Sequence, residues 1–203
     1  MTQAAHLTHL PLILASSSPY RRELLSRLGI EFSTFSPSID ESRQSDESAE
    51  DLVVRLSREK ALAVAQSHPE ALIIGSDQVA TVSGMVLGKP GDHKIAVEQL
   101  MSASGQRVTF FTGLTLYNSK SGNTQTSCVP FHVQFRQLNQ AEVEHYLEKE
   151  KPYNCAGSFK SEGLGISLFE RMEGEDPNAL IGLPLICLNN MLLQEGVNVL
   201  GQN

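Results

Sequence analysis

The segment Ser16-Ser17-Ser18-Pro19-Tyr20-Arg21-Arg22 crowds hydroxyls, an aromatic ring and two guanidinium groups into one short stretch. It follows an apolar run at residues 10–15 that reads as a buried strand, and it precedes Leu24, Leu25 and Leu28 at helical spacing. A turn between a strand and a helix start offers free backbone N–H groups and the positive end of the helix dipole. Serine hydroxyls and forked arginine donors at that point make a phosphate cradle. The same residues also fit a plain N-cap at Ser18 followed by solvated arginines, and local sequence leaves both open. No GxxxxGK[ST] or GxGxxG pattern occurs here, so neither a P-loop nor a dinucleotide fold is indicated.

Three further positions carry charge where chemistry can use it. Lys60 falls on the apolar face formed by Leu52, Val53, Leu56, Ala63 and Val64, so it either snorkels past the core or points into a pocket. Asp77 follows the apolar run 71–75, and is read as standing just beyond a strand end, where open α/β sheets place ligand-handling residues. There it fits a metal ligand or a proton acceptor for water, and equally an Asx-turn residue. Asp40-Glu41 adds carboxylates in an acidic, serine-rich loop, and Gly88-Lys89-Pro90 puts a cation at a tight turn. The polar stretch 154–162 shows no specific chemistry by itself. Taken together, these residues supply cations for a polyphosphate and carboxylates for a divalent metal. That complement fits phosphoanhydride cleavage, in which charge neutralisation and positioning dominate.

The elements that must position these groups alternate in type. After the first strand and helix, a strand is expected near 32–35. A helix with capping-box form at Ser48 runs to about 67, followed by the strand 71–75. Short strands at 79–82 and 85–87 flank the turn Ser83-Gly84, and a helix covers 93–102. Long strands at 108–117 and 126–136 are joined by a polar turn, and Asn139 starts a helix to about 150. A strand is expected at 166–169, with helices opening at Asp176-Pro177 and at Pro184. The order predicts an α/β fold with a mixed, twisted sheet, because the central hairpins demand antiparallel pairing. No repeat or linker divides the chain, so residues 1–203 are read as one domain, with about the first ten residues flexible.

Composition narrows the partners. Hydrophobic residues make up 40% and charged residues 19%, ordinary for a globular domain, and the formal net charge is −7. An acidic protein lacks the basic face that a nucleic-acid polymer requires. Cys128, Cys155 and Cys187 are three, far apart and without CxxC spacing, which predicts reduced thiols rather than disulfides or zinc. No export signal opens the chain, and no stretch approaches the ~20 apolar residues of a membrane helix. A soluble, cytoplasmic protein without membrane partners is expected. A homodimer is compatible with the sequence, which sets no oligomeric state.

The motifs in their order resemble the Maf family of nucleotide pyrophosphatases, from Leu12 to about Gly196. The matching pieces are Leu12-Ile13-Leu14-Ala15-Ser16-Ser17-Ser18-Pro19-Tyr20-Arg21-Arg22, Ile39-Asp40-Glu41, Glu59-Lys60-Ala61 and Ile73-Ile74-Gly75-Ser76-Asp77-Gln78. Gly88-Lys89-Pro90 and Tyr153-Asn154-Cys155-Ala156-Gly157-Ser158-Phe159 complete the series. Tyr20, Gln78 and the run Gly157-Ser158-Phe159-Lys160-Ser161-Glu162-Gly163 look like the branch of the family acting on 7-methyl-GTP. The branch acting on dTTP and UTP typically has arginine and threonine where Tyr20 and Gln78 stand. An aromatic residue, often Trp, occupies the Tyr20 position in the 7-methyl-GTP branch, so Tyr is a mild departure.

The resemblance implies a mixed α/β fold with an elongated sheet and a deep cleft between two lobes. It implies cleavage of a nucleoside triphosphate between its α- and β-phosphates, with a divalent metal, Mg or Mn, as cofactor. Asp77 matches the family's proton acceptor and metal ligand, and Glu41 a metal or catalytic carboxylate. Ser16, Arg21, Lys60 and Lys89 match phosphate-handling positions, while Tyr20, Gln78 and Glu162 match those that set base preference. Because N7-methylation makes guanine cationic, an aromatic face and a carboxylate favour it over plain guanine. Two rivals stand beside this expectation: a dTTP or UTP pyrophosphatase, and a nucleotide-binding regulator of cell division without useful turnover.

Overall fold

The computed structural model describes residues 10–201. The opening apolar run forms strand β1 (Leu12–Ala15), buried along its whole length. Helix α1 (Pro19–Ser26) starts at the Ser18 cap with proline in its first turn, and the chain returns as strand β2 (Ser33–Phe35), parallel to β1. Helix α2 (Ala49–Ala65) is capped by Ser48, whose Oγ accepts from the Asp51 amide at 3.0 Å. It leads into β3 (Leu72–Val82), which pairs parallel with the other side of β1. From there the pairing turns antiparallel. β4 (Met85–Leu87) folds back on β3 through Ser83 and Gly84, both at positive φ. Helix α3 (His93–Ala103) precedes the long hairpin β5 (Arg107–Asn118) and β6 (Thr124–Phe135). Helix α4 (Gln140–Glu150) carries a full capping box at Asn139, β7 (Phe169–Gly174) closes the sheet, and α5 (Pro177–Ile181) and α6 (Leu185–Gln194) follow. The strand order is β2-β1-β3-β5-β6-β7, with β4 also on β3.

Both faces of the sheet centre are covered, which is why its strands read as unbroken apolar runs. Ile13, Ala15 and Ile73 face α2, while Leu12, Leu14, Leu72 and Ile74 face α1 and α6. On the second face the core at one end holds Leu24, Leu114 and Leu188. The core at the other end joins Phe110, Phe135 and Phe159 to α3 and α4. Between these cores the same face presents Ser76, Gln78 and Thr112, a polar belt on which α5 sits.

Two expectations required correction. The strands at 71–75 and 79–82 are one: β3 runs through Ser76-Asp77-Gln78, because β5 pairs with it without a break from Leu72↔Asn118 to Val82↔Val108. The strand expected at 166–169 is a 3-10 turn (Leu164–Leu168), and β7 begins only at Phe169. Gly165 explains the turn, since a Cβ there would stand 2.2 Å from the Lys160 carbonyl oxygen, a closeness only glycine permits. Most of the expected flexible start lies outside the described residues. No helix among the described residues is long and apolar enough to cross a membrane.

Candidate active site

The uninterrupted course of β3 creates the site. On one edge β1 pairs with Leu72 through Gly75, and β4 pairs with Ala80 through Val82. Residues 76–79 therefore have no strand beside them on that edge, and a cleft of about 680 Å³ opens there, a size suited to a nucleotide. Alternation along the strand sends Asp77 and Val79 toward α2, and Ser76 and Gln78 toward α5. Asp77 thus lies mid-strand, not beyond a strand end.

Lys60 reaches this gap from the buried face of α2. Its Nζ donates to Asp77 Oδ1 at 2.6 Å and stands 2.8 Å from Glu41 Oε1. Lys60 and Asp77 are both buried, whereas Glu41 is exposed on the acidic loop. Partial burial pushes the Glu41 carboxyl up. The Lys60 hydrogen bond and the positive charges of Lys60, Lys89 and Arg21 outweigh this and hold it below the usual range. The loop is itself fastened to α2. Arg55 donates to both carboxylate oxygens of Glu47, at 2.6 and 2.9 Å, and to the Ser42 carbonyl at 3.0 Å.

The serine-arginine segment forms the adjoining wall. The backbone N–H of Ser18 donates to Ser16 Oγ at 3.1 Å, tightening the turn, and Ser16 is buried. Arg21 Nε donates to the Gly182 carbonyl at 2.8 Å, and Ser76 Oγ reaches the same oxygen at 2.9 Å. Gly182 ends α5 at φ 118°, where its carbonyl points at both donors. Burial pushes the Arg21 guanidinium down, opposed by the negative charges of Asp77 and Glu41.

Tyr20, beside Arg21 on α1, lies near Cys155 and Lys160, and Cys155 and Glu162 line the cleft together with the exposed Lys89 on the β4–α3 turn. Burial raises the Tyr20 phenol, the nearby Cys155 adds to this, and Lys160 opposes it. Burial likewise raises the Cys155 thiol. Gln78 lines the cleft, but its amide N–H groups point into the molecule. They donate to the carbonyls of Ala179 at 2.6 Å and Leu180 at 3.1 Å, and to Thr112 Oγ1 at 3.1 Å.

Among the described residues no three His, Cys, Asp or Glu side chains converge as a self-contained metal cage does. Asp77 and Glu41 nevertheless fit Mg or Mn. Such ions take one or two carboxylates and complete their shell with phosphate oxygens and water. Lys60 engages one oxygen of each carboxylate, and the other oxygen of each remains to coordinate.

This geometry coincides with a family match. The family model described as Maf-like protein matches residues 11–195. The chain belongs to the Maf family. Among its relatives, a protein of Alcanivorax borkumensis named 7-methyl-GTP pyrophosphatase is 60% identical over 93% of this chain and 95% of its own length. Proteins of the same name from Pseudomonas fluorescens and Pseudomonas aeruginosa are 61% and 58% identical, covering 94% and 93% of this chain and 99% and 98% of theirs. The solved structure of the Staphylococcus aureus Ham1 protein superposes with a TM-score of 0.53 at 12% identity, covering 92% of this chain and all of that one. That likeness concerns the fold alone, which in this Maf chain is the expected mixed α/β sheet flanked by helices.

The cleft brings together Ser16, Tyr20, Arg21, Glu41, Lys60, Asp77, Gln78, Lys89 and Glu162. Arg22 and Asp40, which the sequence also offered as a phosphate donor and a carboxylate ligand, do not line it, and Asp40 instead accepts from the Ser42 amide at 2.9 Å. Arg55, Thr112, Cys155, Lys160 and Gly182 support the site or line it, and were not singled out. Apart from Arg55, whose pairing with Glu59 four residues on is a local helical pattern, their contacts span long sequence separations or depend on backbone direction and leave little local pattern. For Lys160 one signal existed, a cation two residues before Glu162 in the polar stretch.

Proposed function

We propose that this chain hydrolyses 7-methyl-GTP between its α- and β-phosphates, yielding 7-methyl-GMP and pyrophosphate, and acts as a single catalytic unit in the cytoplasm. The observation that carries the reading is the meeting of Lys60, Asp77 and Glu41 in the gap along β3, with Arg21 and Lys89 around them. Asp77 accepts a proton from the water that attacks phosphorus. Ser16, Arg21, Lys60 and Lys89 hold the phosphate oxygens, with Arg21 steadied by the Gly182 carbonyl. Asp77 and Glu41 would hold Mg or Mn, which supplies neutralisation of the charge that builds on the phosphate oxygens. Tyr20 and Glu162 line the same cleft, and a ring face and a carboxylate favour a methylated, cationic guanine.

The names of the Alcanivorax and Pseudomonas relatives support the choice of base. The test is pyrophosphate release from 7-methyl-GTP, GTP, dTTP and UTP, each with divalent metal and with chelator. The highest kcat/KM is expected for 7-methyl-GTP, with turnover abolished by chelator. A preference for dTTP or UTP would reassign the substrate, and binding without turnover of any of the four would make the chain a nucleotide sensor. Turnover that survives the chelator would leave phosphate neutralisation to the cations alone.

A further inference from the structure

Gln99 stands on α3, behind the cleft wall, and both ends of its amide are engaged. Nε2 donates to the Gly88 carbonyl at 3.2 Å, and Oε1 accepts a short hydrogen bond from Ser158 Oγ. Gly88 immediately precedes Lys89. Ser158 lies in the turn (Ala156–Ser158) of the segment that brings Cys155 and Glu162 to the cleft. One side chain therefore joins the two stretches that bring Lys89 and Glu162 to the cleft.

The Ser158 backbone shows how firmly this joint is made. It is fully buried at φ 65°, next to Gly157 at φ 71°. A non-glycine residue holds a left-handed conformation only where its surroundings enforce it. Here the enforcement comes from the bond to Gln99 on one side. On the other it comes from Phe159, whose ring packs edge-on against Phe110, Phe135 and Phe169. A second strap joins the same stretches further out, where the Gly91 amide donates to the Tyr153 carbonyl at 3.0 Å. His93 lies 3.0 Å from the Tyr153 hydroxyl and 2.6 Å from Glu144.

We propose that Gln99 is a positioning residue that fixes the spacing between Lys89 and the wall bearing Cys155 and Glu162, and so the span a nucleotide must bridge. The inference rests on the nucleotide pyrophosphatase reading. Gln99 bonds neither β3 nor α2, which carry Asp77 and Lys60, so loosening it changes substrate binding and leaves the reacting centre in place. The effect therefore falls on KM, not on kcat.

The experiment measures pyrophosphate release from 7-methyl-GTP by the full chain and by Gln99→Leu, Ser158→Ala, their double variant and Gln99→Glu, each checked for folding by circular dichroism. Gln99→Leu cuts both links and raises KM about tenfold, with kcat within about twofold of wild type. Ser158→Ala and Gln99→Glu each cut one link and raise KM less. The double variant goes no further than Gln99→Leu, since the two changes remove one shared bond. An unmoved KM in the folded variants overturns the proposal, and so does a fall in kcat at constant KM, the mark of a smaller folded fraction. A wild type inactive on every nucleotide removes the pyrophosphatase reading and this inference with it. An active wild type with an unmoved KM in the variants removes this inference alone.

Discussion

Lys60 Nζ stands 2.6 Å from Asp77 Oδ1, and this one contact joins the buried face of α2 to the middle of β3. Two different losses are expected from its two partners. Asp77→Asn keeps an oxygen that accepts from Lys60 but no longer takes a proton from water. Its kcat falls about a hundredfold or more, while its melting temperature stays near that of wild type. Lys60→Met removes the cation and leaves the buried Asp77 carboxylate unpaired, a change that destabilises by about 3–5 kcal/mol. Pyrophosphate release and thermal denaturation of the two variants separate these effects. Activity retained in Asp77→Asn passes the role of proton acceptor to Glu41.

The approach of α2 to the sheet depends on two glycines. A Cβ at Gly75 would stand 2.0 Å from the Ser57 carbonyl oxygen, and one at Gly113 would stand 2.0 Å from that of Val53. Both obstacles are helix backbone, which cannot turn aside as a side chain does. Gly75→Ala is expected to destabilise by about 1–3 kcal/mol or more through overpacking. It also lowers kcat, because the helix that shifts carries Lys60 one turn beyond Ser57. Gly88→Ala is the comparison for stability: Gly88 has open space around it, and its expected change lies within about 0.5 kcal/mol. Urea denaturation of the two variants, read beside kcat, checks both statements.

These glycines also mark where the sequence stops being legible. The apolar runs announced β1 and the first part of β3, and Ser18, Ser48 and Asn139 announced their helices through local capping chemistry. Lys60 betrayed itself as a cation on an apolar face. The course of β3 through Asp77 was hidden, since Gly75-Ser76-Asp77 has the composition of a turn and only pairing with β5 keeps it extended. Gln78 was legible as a cleft residue, but not the inward direction of its amide, which follows from carbonyls about a hundred residues later in the chain. Nor does Gln99 carry any local signal, because its two partners come from opposite sides of it in the sequence.

The proposed base preference rests in part on Glu162, which is exposed in the cleft with its carboxylate beside Ser161. Glu162→Gln removes a negative charge without changing shape. At a partly solvated site one such charge is worth about 1 kcal/mol against a cationic ring, so the preference for 7-methyl-GTP over GTP falls about fivefold. The ratio of kcat/KM for the two nucleotides reads this directly. A ratio equal to that of wild type would return the discrimination to Tyr20 and Gln78.

The acidic loop that presents Glu41 is held by Arg55, and this attachment gives the fold a defined response to acid. The Arg55 hydrogen bond is the main cause that holds the Glu47 carboxyl down, from the usual 4.5 to about 2, aided by the Gln44 amide and opposed by burial. A carboxyl depressed on folding stabilises the native state above its unfolded pKa, and that contribution drains away as pH falls through the folded value. The Glu47–Arg55 contribution is therefore complete at neutral pH and is lost between about 4.5 and about 2. Glu47→Gln is expected to be less stable than wild type at pH 7, with the gap closing as the pH is lowered through that window. Urea denaturation midpoints of both proteins from pH 7 down to about 2.5 follow the gap across that range. A gap of constant size would show that the carboxyl contributes through shape and neutral hydrogen bonding, not through its charge. In the same variant KM for 7-methyl-GTP rises at neutral pH, because Arg55 also grips the Ser42 carbonyl next to Glu41, and loses its partner in that clamp when Glu47 is neutral.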